Sequence, residues 1–348
     1  MKTGKRILPL VAALSIFASF SAASAAMTDK EKQLYEAAKK EDGGITWYTG
    51  ILDQPIDDSV GQAFSAKYPG LSVSAIKTTS QVAFQRLLQD LKAGQVQADV
   101  FTSTDIGHLA FLKSKGELIQ YTPENAAGLV KSVQNVDPDG YYHTAWVGLV
   151  AILYNSGKVK KEDAPKDWPD LADPKWKSQI TFGSPNFSGM VGVWTVAMEQ
   201  RFGWDFFKKL NDLNPQIGRS IDDAVTVLNS GERSVAMGNP GTGIRSAAKG
   251  NPIGIVYPTS GTLMVISPSG ILKGAKHPNT AKLFMEFLAG PEYSQILAKN
   301  QEQPLRGDVP PPAGGTSLAD MKVFAPSADD IEKKLPQNKN KWRDTFGM

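Results

Sequence analysis

A chain of 348 residues with 38 Lys and Arg, 35 Asp and Glu and no cysteine has no disulfides, no lipidated cysteine anchor and no thiolate metal site. Lys2, Lys5 and Arg6 lie at its start, and removing residues 1–25 leaves 35 bases against 35 acids, so no basic surface for nucleic acid is expected. The length exceeds one ordinary core and suits two domains of about 150 residues.

The first residues have the order of a secretory leader: a positive start, a mostly apolar run over 7–18, then the small residues Ala23-Ser24-Ala25 before a polar helix. The apolar run is too short for a bilayer span, and no later stretch approaches about 20 continuous apolar residues. The expectation is a leader cleaved after Ala25 and a soluble exported chain.

In chain order, Thr28-Asp29 can cap a helix over 31–40, with Leu34 and Ala37-Ala38 inward and Gly43-Gly44 ending it. Ile45-Thr46-Trp47-Tyr48-Thr49 reads as a strand stopping at Gly50. Val60, Phe64 and Tyr68 at i, i+4 and i+8 predict a helix over 56–68, closed by Pro69-Gly70. Residues 71–76 alternate like a strand, and Phe84, Leu87, Leu88 and Leu91 mark a helix over 82–93. Ala98-Asp99-Val100-Phe101 is a short buried strand, followed by Ser103-Thr104-Asp105 and a helix to Lys115. Residues 146–154 form an apolar strand long enough to pass between domains. Further strands are expected at 180–183, 234–237 and 263–266, and helices at 189–202, 221–229 and 280–289. The Pro/Gly-rich stretch 304–315 reads as coil, with a short final helix over 329–334. This alternation predicts an α/β fold on a largely parallel sheet, in two lobes with a cleft.

Several stretches together resemble the periplasmic binding proteins of ABC transporters, in the branch that holds ferric-ion binders and their non-ferric relatives. They are Tyr35-Glu36-Ala37-Ala38-Lys39-Lys40-Glu41 before the first strand, Ala98-Asp99-Val100-Phe101, Asp167-Trp168-Pro169-Asp170-Leu171 with Asp173-Pro174-Lys175-Trp176-Lys177, and Gly274-Ala275-Lys276-His277-Pro278-Asn279-Thr280-Ala281. The resemblance implies a type II periplasmic-binding-protein fold: two α/β lobes joined by two crossing strands, closing by a hinge on ligand in the cleft. It implies a discontinuous first lobe (26–145 plus about 260–300), a second lobe over 146–259, and 301–348 packing across both. The expected partners are a small-molecule ligand and an ABC transporter membrane permease, for a monomer in the periplasm.

Cleft sites in such folds lie at strand ends, where loops meet helix N-termini and free N–H groups favour anions. The candidates are Tyr48, Thr49 and Gly50 after the first strand, Ser80 and Gln81 at the third helix, and Ser103 and Thr104 after the third strand. In the second lobe they are Ser184, Ser188, Gly189, Asn239 and Thr242. Taken alone, Ser80, Thr104 or Ser188 reads as an N-cap; their convergence is what the resemblance implies. Arg245, a turn beyond the Gly-rich loop over 238–243, is a candidate charge-assisted donor, and Tyr257 a candidate cleft aromatic with Trp47 and Trp146.

The family's ferric members use a His or Glu in the first lobe and a Tyr pair in the second. Here Leu52 stands at the first position and Asn239-Pro240-Gly241 at the last, so ferric binding is expected to be lost and a small polar, anionic organic ligand remains (phosphonate, sugar phosphate or carboxylate). His108, His143 and His277 sit apart, with no nucleophile elbow, no H-E-x-x-H and no complete dinucleotide fingerprint. No enzyme, cofactor or metal is therefore expected. The alternatives are a ferric binder with unusual ligands and, in another class, a periplasmic hydrolase or sensor subunit.

Overall fold

Local chemistry sets the first boundary of the computed structural model, which describes residues 26–348; the expected leader lies outside them. Thr28 starts helix α1 (Asp29–Ala38) through a reciprocal cap: Glu31 N–H donates to the Thr28 hydroxyl at 3.1 Å, and Thr28 N–H to the Glu31 carboxylate at 2.6 Å. Strand β1 (Gly44–Thr49) follows, then α2 (Gln54–Lys67), β2 (Ser72–Lys77), α3 (Ser80–Ala93), β3 (Val100–Thr102), α4 (Ile106–Ser114) and β4 (Leu118–Ile119). β1 pairs in parallel with β2 and β3, the geometry expected when each strand is followed by a helix that crosses back.

Strand β5 (Tyr142–Asn155) is buried along all of its length and leads into the second lobe. There β6 (Ile180–Phe182), β7 (Gln216–Ile217) and β8 (Val235–Gly238) are parallel, interleaved with α5 (Gly189–Phe202), α6 (Asp205–Asp212) and α7 (Asp223–Ser230). After α8 (Pro240–Ala248) and β9 (Ile253–Val256), β10 (Thr262–Leu272) returns to the first lobe antiparallel to β5, completing the order β2-β1-β3-β10-β5-β8-β6-β7. The β5–β10 register slips between Ser267 and Pro268, where proline has no N–H for the ladder. Two strands thus cross between the lobes, with an irregularity built into their pairing.

Helices α9 (Pro278–Leu288) and α10 (Pro291–Lys299) return to the first lobe, where Phe284 and Phe287 meet Phe64 edge-on. That core also holds Trp47; a second core is built on Trp168, Trp194, Phe182 and Phe207. The short β11 (Val323–Phe324) joins β10, and α11 (Ala328–Phe346) then contacts α4 of one lobe and α5 and α6 of the other. The expected helix over 329–334 is therefore 19 residues long, and it runs through Pro336 because Trp342 and Phe346 anchor it on Phe182. Gly192 of α5 permits that approach: a Cβ there would lie 2.9 Å from Leu335 Cδ1. Helices α6, α8 and α10, which the sequence reading did not assign, are also present.

Candidate ligand-binding site

The loop after β1, the start of α3 and the loop after β3 lock together behind the cleft. Ser80 Oγ accepts from Thr104 N–H at 2.9 Å and from the Thr104 hydroxyl at 3.0 Å. A Cβ on Gly50 would fall 2.4 Å from Ser80 Oγ, so the chain passes there only as glycine. Ser103 is fully buried, its Oγ 2.9 Å from His108 Nδ1 and accepting from Asp105 N–H at 3.0 Å. Burial holds the His108 imidazole below its usual pKa, against the pull of Asp105, and the ring stacks on Phe84 at 3.9 Å. Ser103, His108 and Asp105 have the residue types of a nucleophilic triad, but the buried Ser103 has no access to a substrate; the three form the capping cluster that starts α4.

Across the cleft, Ser184 is fully buried and its Oγ accepts from Asn186 N–H at 3.3 Å. Ser188 holds the N-cap position of α5 in extended geometry without spending its hydroxyl on a capping bond. The first intrahelical bond of α5 runs from Gly192 N–H to Ser188 O at 2.9 Å, leaving the first-turn amides without helical partners. A Cβ on Gly189 would meet nothing within 4 Å.

Between these walls lies a cavity of about 290 Å³, just under the usual range for ligand sites, about 300–1,000 Å³. Gln81, Thr104 and Asp105 line it from the first lobe, Ser188 and Gly189 from the second, and Met264, Val265 and Ile266 of β10 form its floor. Ile331, Leu335 and Lys339 of α11 make a further wall that the sequence reading did not anticipate. Its polar end, where α3, α4 and α5 begin, combines hydroxyls, an ammonium and helix-terminal N–H groups, a set suited to an anion.

Of the other expected site residues, Thr49 and Ser80 are buried behind this wall, the Thr49 hydroxyl without a partner. Tyr48 is 1% exposed and turns to α3, with Arg86 over its ring at 5.0 Å and Asp90 3.3 Å from its hydroxyl. Asn239 and Tyr257 line a second, far smaller space of about 20 Å³ beside Trp146 and Glu302. There Arg245 Nη1 pairs with Glu302 Oε1 at 2.9 Å, while Trp146 Nε1 donates to Glu302 Oε2 at 3.1 Å. Thr242 accepts from Arg245 at 3.0 Å and donates to Asp222 at 2.6 Å. Burial raises the Glu302 pKa, opposed by Arg245. Asn239 caps α8 by accepting from Gly241 N–H at 2.9 Å, and Leu52 is buried. Among the described residues no group of three His, Asp or Glu side chains is placed to hold a metal ion, and no helix is long and apolar enough to cross a membrane.

Two α/β lobes, joined by two crossing strands and enclosing a cavity at their strand ends, define a type II solute-binding protein. A family model described as bacterial extracellular solute-binding protein matches residues 97–334, more than half of the chain, and the chain belongs to that family. A Salmonella typhimurium protein bearing the name of a 2-aminoethylphosphonate-binding periplasmic protein is 24% identical, the match covering 96% of this chain and 97% of that one. Iron uptake protein A1 of Synechocystis is also 24% identical, over 80% of this chain and 81% of its own. Among solved structures, the periplasmic binding protein AfuA of Actinobacillus pleuropneumoniae with fructose-6-phosphate superposes with a TM-score of 0.71 at 23% identity, covering 88% of this chain and 99% of AfuA. Iron-bound HitA of Pseudomonas aeruginosa gives 0.72 at 22% identity, with 87% and 99% covered.

Proposed function

We propose that the protein is the periplasmic solute-binding component of an ABC importer, exported by a leader over 1–25, which closes its lobes on a small organic anion and presents it to the membrane permease. The observation that carries this reading is the convergence of Thr104 and Gln81 from one lobe with Ser188 and Gly189 from the other on one cavity. Binding energy gained only when both walls touch the ligand favours the closed form. On this reading the first lobe comprises 26–145 and about 260–300, the second 146–259, and 301–348 is a strap across them, acting in a monomer. Organic anions are favoured over ferric ion because Leu52 and Asn239-Pro240 supply no hard anionic donor.

The test is titration calorimetry on protein unfolded, stripped of ligand and refolded, against phosphonates, sugar phosphates, dicarboxylates and ferric citrate. A cognate anion at about 100 times its Kd should add roughly 2.7 kcal/mol to stability. The paired substitution Thr104→Val with Ser188→Ala should weaken its binding at least about tenfold, the loss of two hydrogen bonds. A response to ferric ion alone would replace the reading.

A further inference from the structure

Helix α11 carries four lysines, and three are engaged: Lys333 pairs with Asp329 at 2.7 Å, Lys334 with Asp330 at 3.6 Å, and Lys341 with Glu199. Among the described residues the fourth, Lys339, pairs with no carboxylate, and it is the one that lines the interlobe cavity. It is half-buried there, next to a fully buried Asn338, on a helix fixed by the burial of Trp342. Among the described residues no arginine and no other lysine lines this space. The rest of the α11 wall is apolar, Ile331 and Leu335, and it continues into Val193 and Met264. The one carboxylate in the lining, Asp105, has one oxygen accepting from Gly107 N–H at 2.9 Å, while the other lies 3.6 Å from His108 Nε2, beyond hydrogen-bond distance.

We infer that Lys339 is a ligand-contacting residue, and that the cavity takes an anionic head group carried on a small apolar body. This rests on the anion-binding reading above and narrows it. A polyhydroxylated body would set hydroxyls against Ile331 and Leu335, where each one buried without a partner weakens binding. An alkyl body meets those side chains without loss, and the unpaired ammonium of Lys339 makes a charge-assisted bond to the head.

The experiment is calorimetry on stripped full-length protein with three probes: butylphosphonate, 2-aminoethylphosphonate and fructose 6-phosphate. Lys339→Gln and Lys339→Arg are then titrated with the best of them, with apo thermal unfolding as the control for folding. The wild type is expected to bind both phosphonates at least about tenfold more tightly than fructose 6-phosphate. Lys339→Gln should lose about 10- to 100-fold, the range for one hydrogen bond to a charged group, and Lys339→Arg should recover most of it. Tighter binding of fructose 6-phosphate than of either phosphonate, or affinity unchanged in Lys339→Gln, overturns this inference while leaving the broader anion reading in place. Failure of the stripped wild type to bind any organic anion, these three and the wider panel included, overturns both. The probe ranking needs only the wild type, so it decides even if a variant folds poorly.

Discussion

The two lobes meet in two places built from similar parts, strand ends followed by helix starts, and they leave them in opposite states. Beside Glu302, a guanidinium, an indole N–H and a threonine hydroxyl have found one another, and a space of about 20 Å³ remains. Beside Lys339, the ammonium, the Ser188 hydroxyl and the first amides of α5 have no partner among the described residues, and a cavity of about 290 Å³ lies between them. A polar group without a protein partner bonds water or a solute instead. Where the chain supplies the partner the lobes are joined; where it does not, a solute can supply it. By composition alone the first place looks the better anion site, since it holds the arginine. Its carboxylate decides otherwise.

The largest effect should come from the joined side. Asp53, the N-cap residue of α2, adds to the pressure on Glu302, and one turn further on Asp57 is buried with neither oxygen partnered. Burial pushes its pKa up to about 7 from 3.8. The folded state therefore holds this proton more tightly than the unfolded chain, so the stability it contributes is complete below about pH 4 and is lost as pH rises through about 7. Asp57→Asn should add up to about 4 kcal/mol at pH 8 and almost nothing at pH 4, as read from urea unfolding at both. Equal changes at the two pH values would remove Asp57 as a buried charge.

Arg245→Met tests the pairing itself. It leaves the Glu302 carboxylate buried and unpaired, and should destabilise by about 2–4 kcal/mol at pH 8, less in acid where Glu302 takes up a proton. Anion affinity should stay within about threefold of wild type, because the residue seals rather than binds. A large loss of affinity with normal stability would move the site to Arg245 and invert the comparison.

The smallest stability effect belongs to the open side. Ser188→Ala removes no capping bond, so unfolding should shift by less than about 0.5 kcal/mol, while anion binding weakens about five- to tenfold. A stability loss near 1 kcal/mol with unaltered binding would mark Ser188 as an ordinary cap.

How much of this could be read from the residues depended on sequence distance. Apolar spacing located α3 and α5 within about two residues, as expected for strongly periodic segments. The unbroken apolar run of β5 marked a strand buried on both faces. That Gln81, Thr104, Ser188 and Gly189 lie at helix starts was legible because such starts are written locally; that they line one cavity was not. Helix α8 was missed although its signal was present: Asn239-Pro240 is an N-cap followed by proline at the first helical position, and Gly241 and Gly243 drew the reading toward a loop. Helix α11 was read only over 329–334; a proline at 336 gives no local sign that it continues, and tertiary burial of Trp342 carries it on. The partner of Arg245 lies 57 residues away, and no spacing rule reaches that far.

Pro336 has one more consequence. It has no N–H to offer the carbonyl of Glu332, so α11 lacks a rung between Ile331 and Leu335 on one side and Lys339 and Trp342 on the other. The wall of the cavity therefore bends most cheaply at its middle, with its far end pinned. Whatever bending α11 undergoes is thus concentrated in the wall of the cavity, between the residues that line it and the aromatic residues that anchor its end.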